Sequence, residues 1–246
     1  MAVTRPSLTR RSLLKHAAAT PVAALGFAVL ADAVSAARAS ADSLGVLLDY
    51  SAGVLSPDDI KSAGAVGAIR YVSDRRPGAS WMIGKPMTLD EARGLSQAGL
   101  KIVSNYQFGK GDTSDWLGGE AGGVSHAKRG VELHNAAGGP ATAPIYASID
   151  SNPSYDQYKQ LVAPYLRGWE SVIGHQRVGV YGNSKVIDWA LADGLGAWFW
   201  QHNWGTPQGF VHPAAHLHQF EIDARKVAGV GVDLNNILKT QFGQWA

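Results

Sequence analysis

Cysteine is absent from the 246 residues, so a disulfide scaffold, a Cys-based zinc site and thiol catalysis are all excluded. Net charge is nearly absent too: 22 basic against 20 acidic side chains give +2. Even that excess belongs to the first 41 residues, where Arg5, Arg10, Arg11, Lys15 and Arg38 face Asp32 alone. The remainder holds 17 basic and 19 acidic residues. It lacks the cationic footprint of a nucleic-acid binder, and no nucleic-acid partner is expected. Charged residues are few, at 17%, against 46% hydrophobic, which excludes a disordered chain and supplies one sizeable core. No long apolar run is present. The stretch from Ala17 to Ala31 carries Pro21 and Gly26 and falls short of the roughly 20 residues that span a bilayer. Phosphate-loop and dinucleotide glycine patterns are missing, and Gly109-Lys110-Gly111 reads as a flexible loop. Gly182-Asn183-Ser184 lacks the nucleophile-elbow spacing and reads as a turn and helix cap. No cofactor is expected.

The first forty residues have the form of an address. Arg10-Arg11-Ser12-Leu13-Leu14-Lys15 precedes the apolar run, and small residues follow at Val34-Ser35-Ala36, Ala37-Arg38-Ala39 and Ala39-Ser40-Ala41. A positive start, a short apolar stretch and A-x-A-like sites make a signal peptide. The paired arginines point to the twin-arginine route, with the Tat translocase as export partner. Residues 1–41 are expected to be removed. Residues 42–246 then form one exported domain, placed in the cell envelope or outside the cell, with no transmembrane span. An uncleaved N-terminal anchor is the alternative.

In the mature chain, apolar strands alternate with helices. Strands are expected over 44–50, 65–72, 100–106, 143–150, 177–182, 197–204, 216–220 and 229–234. Ser56-Pro57-Asp58-Asp59 and Thr88-Leu89-Asp90-Glu91 are helix starts. Further helices are expected over 119–137, 155–173 and 184–192. This alternation argues for βαβ units and a parallel sheet. Eight strands in about 205 residues fit an α/β fold, a compact (β/α)8 TIM-like barrel with reduced helices in its last third. An open doubly wound sheet is the alternative.

Every second residue of a barrel strand points inward. The inward sets are expected to end in Asp49, Arg70, Tyr106, Asp150, Tyr181, Gln201 with Asn203, Gln219, and Asp233 with Asn235. The change from apolar to polar falls at the same end of each strand, where barrel enzymes build their active sites. Three Asp around one opening suggest glycoside chemistry, which needs one protonated and one ionised carboxyl group. Trp204, Tyr106 and Tyr181 offer flat surfaces for sugars, while Trp198 and Trp200 read as core. His202, His212, His216 and His218, with Glu221, are the weighed metal candidate. They read better as packed or solvated residues, and no metal is expected.

Several segments resemble the glycoside-hydrolase-like domain family of exported actinobacterial proteins. They are Leu48-Asp49-Tyr50, the run from Ala68 to Arg75, the run from Ile145 to Asp150, Trp200-Gln201-His202-Asn203-Trp204, and Gly231-Val232-Asp233-Leu234-Asn235. The resemblance implies a TIM-like barrel in a cell-envelope setting, distantly related to family 25 lysozymes, which cleave peptidoglycan. Those enzymes end their first strand in Asp, matched by Asp49, and carry Asp-x-Asn on the last, matched by Asp233 and Asn235. Their fourth strand carries Asp-x-Glu, where this chain has Ser148 and Asp150.

Two readings follow. In the first, the protein hydrolyses cell-wall glycan, with Asp150 as general acid and Asp49 or Asp233 as second carboxylate. Arg70, Tyr106, Tyr181, Gln201, Asn203, Trp204, Gln219 and Asn235 hold the sugar. In the second, the barrel binds cell-wall glycan without cleaving it.

Overall fold

A capping box starts the first helix: Ser56 Oγ accepts from Asp59 N at 3.1 Å, and the Asp59 carboxylate accepts from Ser56 N at 3.2 Å. It follows the short buried strand β1 (Val46–Asp49) and opens α1 (Pro57–Ser62). The computed structural model describes residues 43–246. The export segment expected over 1–41 lies outside the described residues. The alternation continues with β2 (Gly67–Tyr71), α2 (Leu89–Gln97), β3 (Lys101–Tyr106), α3 (Gly119–Ala136) and β4 (Ile145–Ser148). Next come α4 (Tyr155–Gln157), α5 (Ala163–Ile173), β5 (Val178–Gly182), α6 (Ser184–Ala192) and β6 (Trp198–Gln201). The chain ends in β7 (Leu217–Val227), β8 (Val230–Ile237) and β9 (Gln244–Trp245). Among the described residues no helix is long and apolar enough to cross a membrane.

Strands β1 to β7 pair in parallel with their sequence neighbours. Strand β8 pairs with both β7 and β1 and closes an eight-stranded barrel, which excludes the open doubly wound sheet. The expectation of an all-parallel ring is corrected at β8, which is antiparallel to both neighbours. Only Ala228 and Gly229 separate β7 from β8, both with positive φ (46° and 82°). A two-residue link can reverse the chain but cannot carry it back across the sheet. Two left-handed central residues also match the twist of a hairpin. Strand β7 runs well past the expected Phe220, with register irregularities around Glu221.

The single helix expected over 155–173 is interrupted by a π turn at Tyr158–Val162. Pro164 lies just inside α5; it has no N–H to donate and its ring crowds the preceding turn, which the wider π turn relieves.

Two apolar layers hold the barrel. Inside, Leu47, Ile69, Val103, Tyr146, Trp200, Leu217 and Ile237 fill the lower lumen. Phe242 joins them, and Tyr146 Oη donates to Phe242 O at 2.9 Å, closing the end opposite Asp49. Outside, Leu48, Ala68, Ile102, Ile145, Ala147 and Val180 pack under the helices. Helices α3 and α5 touch backbone to backbone: a Cβ on Gly123 would sit 2.1 Å from Tyr165 O.

Candidate active site

The barrel opens at the C-terminal ends of its parallel strands into a cavity of about 430 Å³. Asp49 ends β1, Tyr71 ends β2, Asn105 lies near the end of β3, Asp150 follows β4, Tyr181 comes from β5, and Gln219 from β7. Asp233 enters from the opposite direction on β8, directly across from Asp49 in the strand register. Thus Asp49, Asp150 and Asp233 line one cavity.

The three carboxylates are held differently. Gln219 Nε2 donates to Asp233 Oδ2 at 3.0 Å and reaches Asp49 Oδ2 at 3.4 Å, so a single amide spans both acids. The other amide end of Gln219 accepts from Tyr181 Oη at 2.6 Å, which fixes its orientation. Asp233 also accepts from the backbone N–H of Asp223 at 2.8 Å. Asp150 accepts from Gln107 Nε2 and pairs with Lys110 Nζ, both at 3.0 Å.

Burial disfavours charge and separates the proton affinities of the facing pair. Burial first, then the neighbouring Asp233, pushes the Asp49 carboxyl up to about 8, against the opposing pull of Tyr71, Arg70 and Lys85. Burial raises Asp233 less, to about 6, because the Asp223 N–H holds its charged form. Burial therefore favours the protonated form of Asp49 more strongly than that of Asp233. Lys85, buried in the cavity wall, is brought down to about 8, chiefly by desolvation. Its Nζ donates to Gln107 O at 2.7 Å and lies 3.8 Å from the Tyr71 ring centroid.

Four expected sugar contacts face elsewhere. Arg70 and Tyr106 point into the layer between barrel and helices, because β2 and β3 present Ile69, Tyr71, Val103 and Asn105 to the lumen instead. Arg70 pairs with Glu91 of α2 at 2.6 Å, donates to Gly84 O at 2.7 Å and also donates to Tyr50 O. Tyr106 Oη meets His126 Nδ1 at 2.8 Å. Gln201 is spent on the following loop, donating to Phe210 O and accepting from His212 N. Asn203 is exposed and bonds His218 Nε2 at 2.8 Å, outside the cavity. Asn235 points inward but lies beneath the cavity, accepting from Trp200 Nε1 at 2.9 Å. Tyr181, Gln219 and Trp204 line the cavity, with Trp204 more than half exposed at the rim.

The sequence reading missed Tyr71, Trp81, Lys85, Asn105, Gln107 and Asp223, all in the cavity wall. Tyr71 and Asn105 are found by shifting the inward phase of their strands by one residue; the others lie outside strand alternation or on the bulged part of β7. The histidines disperse: His202 Nε2 donates to Ile149 O, His212 pairs with Asp188, and His216 Nδ1 accepts from Phe199 N. Glu221 pairs with Arg225. Among the described residues no three His, Asp or Glu side chains converge as a metal set.

Known proteins bear the same architecture. A curated relative from Mycobacterium tuberculosis, named "Putative peptidoglycan hydrolase Rv2525c", is 70% identical over 240 residues, spanning 98% of this chain and 100% of the relative. The crystal structure of the M. tuberculosis Tat-secreted protein Rv2525c with L-tartrate superposes with a TM-score of 0.82 at 73% identity. That match covers 83% of this chain and 100% of the other. The Clostridium perfringens spore cortex lytic enzyme SleM shares the fold, with a TM-score of 0.53 at 14% identity over 80% of this chain and 68% of its own. The model of the Rv2525c-like, glycoside hydrolase-like domain matches residues 58–237. The chain belongs to that Rv2525c-like, glycoside hydrolase-like family.

Proposed function

We propose that this protein is an exported hydrolase of cell-wall glycan, peptidoglycan foremost. The observation that carries the reading is the facing pair Asp49 and Asp233, bridged by Gln219 at the base of the barrel-mouth cavity and separated in proton affinity. A glycosidase needs that division between a carboxyl that gives a proton and a carboxylate that stabilises positive charge. Asp49 is the general acid and delivers its proton to the departing glycosidic oxygen. Asp150 and Asp233 supply negative charge at the anomeric carbon as the bond opens, and one of them takes a proton from the incoming water. The acid role moves from Asp150 to Asp49 because Asp150 Oδ2 is occupied as an acceptor by Gln107 and Lys110. Trp204 and Trp81, both over half exposed on the rim, offer stacking faces to the chain of sugars. The name of the M. tuberculosis relative supports peptidoglycan as the substrate.

The test is release of new reducing ends from purified mycobacterial cell wall by the mature protein. Asp49→Asn and Asp233→Asn should each lower kcat by about 10²–10⁴ fold, the usual worth of a positioned acid or base. Unchanged release in both variants sinks the assignment. A glycan-binding role without cleavage is favoured by one observation: Ser148 stands where family 25 lysozymes have an acid, and its Oγ donates to Asn105 Oδ1 at 2.9 Å. Retention on insoluble cell wall with no new reducing ends selects that second reading.

A further inference from the structure

The wall formed by the segment after β2 carries a charge that no acid among the described residues pairs with. Arg76 lines the cavity, is half-buried, and makes no side-chain hydrogen bond or ion pair among the described residues. Its guanidinium lies 6.0 Å from the ring centroid of Trp81, itself 53% exposed on the same rim. Lys85 is close by: Arg75 Nε donates to Lys85 O at 3.1 Å, tying the two ends of the segment together. Lys85 is only 3% exposed and spends one donor on Gln107 O, leaving two N–H groups. The other cations near the cavity are answered. Lys110 pairs with Asp150, and Arg70 pairs with Glu91 behind the barrel. Two of the cavity's acids are engaged as well, Asp233 by Gln219 and the Asp223 N–H, and Asp150 by Lys110 and Gln107. An unanswered guanidinium beside an exposed indole, with a buried ammonium behind it, matches a sugar ring bearing a carboxylate. The ring lies on the indole, and the carboxylate takes the two parallel N–H bonds that guanidinium offers.

We propose that Arg76, Trp81 and Lys85 form a subsite for an acidic sugar, so that the glycan recognised in this cavity carries a free carboxylate. The proposal deepens the glycan reading and rests on it, but it is read by binding rather than by turnover. Calorimetry on the mature protein compares a short oligosaccharide containing one uronic acid with the same oligosaccharide reduced to its neutral hexose. The acidic form should bind at least about tenfold tighter, in line with one charge-assisted hydrogen-bonded contact. Raising the salt should shrink that preference, since the site is half-open to solvent. Arg76→Gln should erase the preference without lowering the melting temperature, because Arg76 makes no side-chain hydrogen bond or ion pair among the described residues and its one contact is with the exposed Trp81 ring. Equal affinity for the two sugars, or a preference that survives Arg76→Gln, overturns the subsite. If the neutral sugar binds and is cleaved while no preference exists, only the subsite falls. If neither sugar binds and cell wall is neither retained nor cleaved, the glycan reading falls with it.

Discussion

A carboxyl group that keeps its proton near neutral pH leaves a trace in stability as well as in chemistry. The folded protein raises Asp49 to about 8 and Asp233 to about 6, above the ordinary carboxylate value of 3.8. Between about 4 and about 8 these two carboxyls therefore bind more protons in the native state than in the unfolded chain, and their contribution to stability falls as pH rises through that window. Buried His134, His202, His216 and His218 are held below the ordinary histidine value and pull the other way up to about 6.5, so the test is differential: between pH 6.5 and pH 8 the melting temperature of Asp49→Asn should fall less than that of the wild type, and identical pH dependence in the two proteins contradicts the burial argument. On the proposed hydrolytic mechanism the same pair sets the rate. kcat/KM should be bell-shaped, with an acid limb set by Asp233 near 6 and an alkaline limb set by Asp49 near 8. Asp233→Asn removes a like charge from Asp49, so the alkaline limb of its residual activity should move to lower pH. Behind the site, Glu91→Gln leaves Arg70 buried without its counter-charge. That should cost about 3–5 kcal/mol by chemical denaturation. At this scale the sequence revealed the Asp positions, since each follows an apolar run. It concealed the facing of Arg70, Tyr106 and Gln201. Strands β2 and β6 are buried almost throughout, and β3 is buried beyond its first residue, so alternation of polarity gives no phase there.

At the scale of elements, the β7–β8 hairpin is the least legible part of the chain. Its turn is Ala228-Gly229 rather than the Asn-Gly that marks such hairpins. The apolar run after the turn, over 229–234, reads as one more parallel strand. Ala228 adopts φ 46°, a conformation that costs a residue with a Cβ about 1–2 kcal/mol and that Asn tolerates better. Ala228→Asn should therefore raise stability by about 0.5–1 kcal/mol in urea titration; a loss of stability means the turn is not left-handed at that position. The helices were easier to place, because their caps are written locally, as at Ser56 with Asp59 and Thr88 with Glu91. Their contacts were not. Gly123 and Gly168 sit where α3 and α5 press together, and a Cβ on Gly168 would lie 2.3 Å from Glu120 O. Gly168→Ala should force the two helices apart and destabilise the fold by about 1–3 kcal/mol, the usual cost of overpacking.

For the whole molecule, the barrel was legible from the repeated strand and helix pattern, whereas its mode of closure was not. Ring closure depends on the pairing of β1 with β8, strands far apart in the chain. Partners so distant meet late, because a long loop must close before the contact rewards it. The lack of cysteine means that nothing in this process needs an oxidising compartment, which suits a route that carries folded chains. Replacing Arg10 and Arg11 by Lys should hold the folded protein in the cytoplasm, as fractionation and blotting would report; normal export of that variant removes the twin-arginine reading.

Asp49 and Asp233 face each other across that same closing seam. An open barrel with every other strand in place still keeps its acid and its counter-charge apart, as inert as a pair of scissors without its pivot. On the proposed mechanism, competence to cut is thus the last property the chain acquires as it folds.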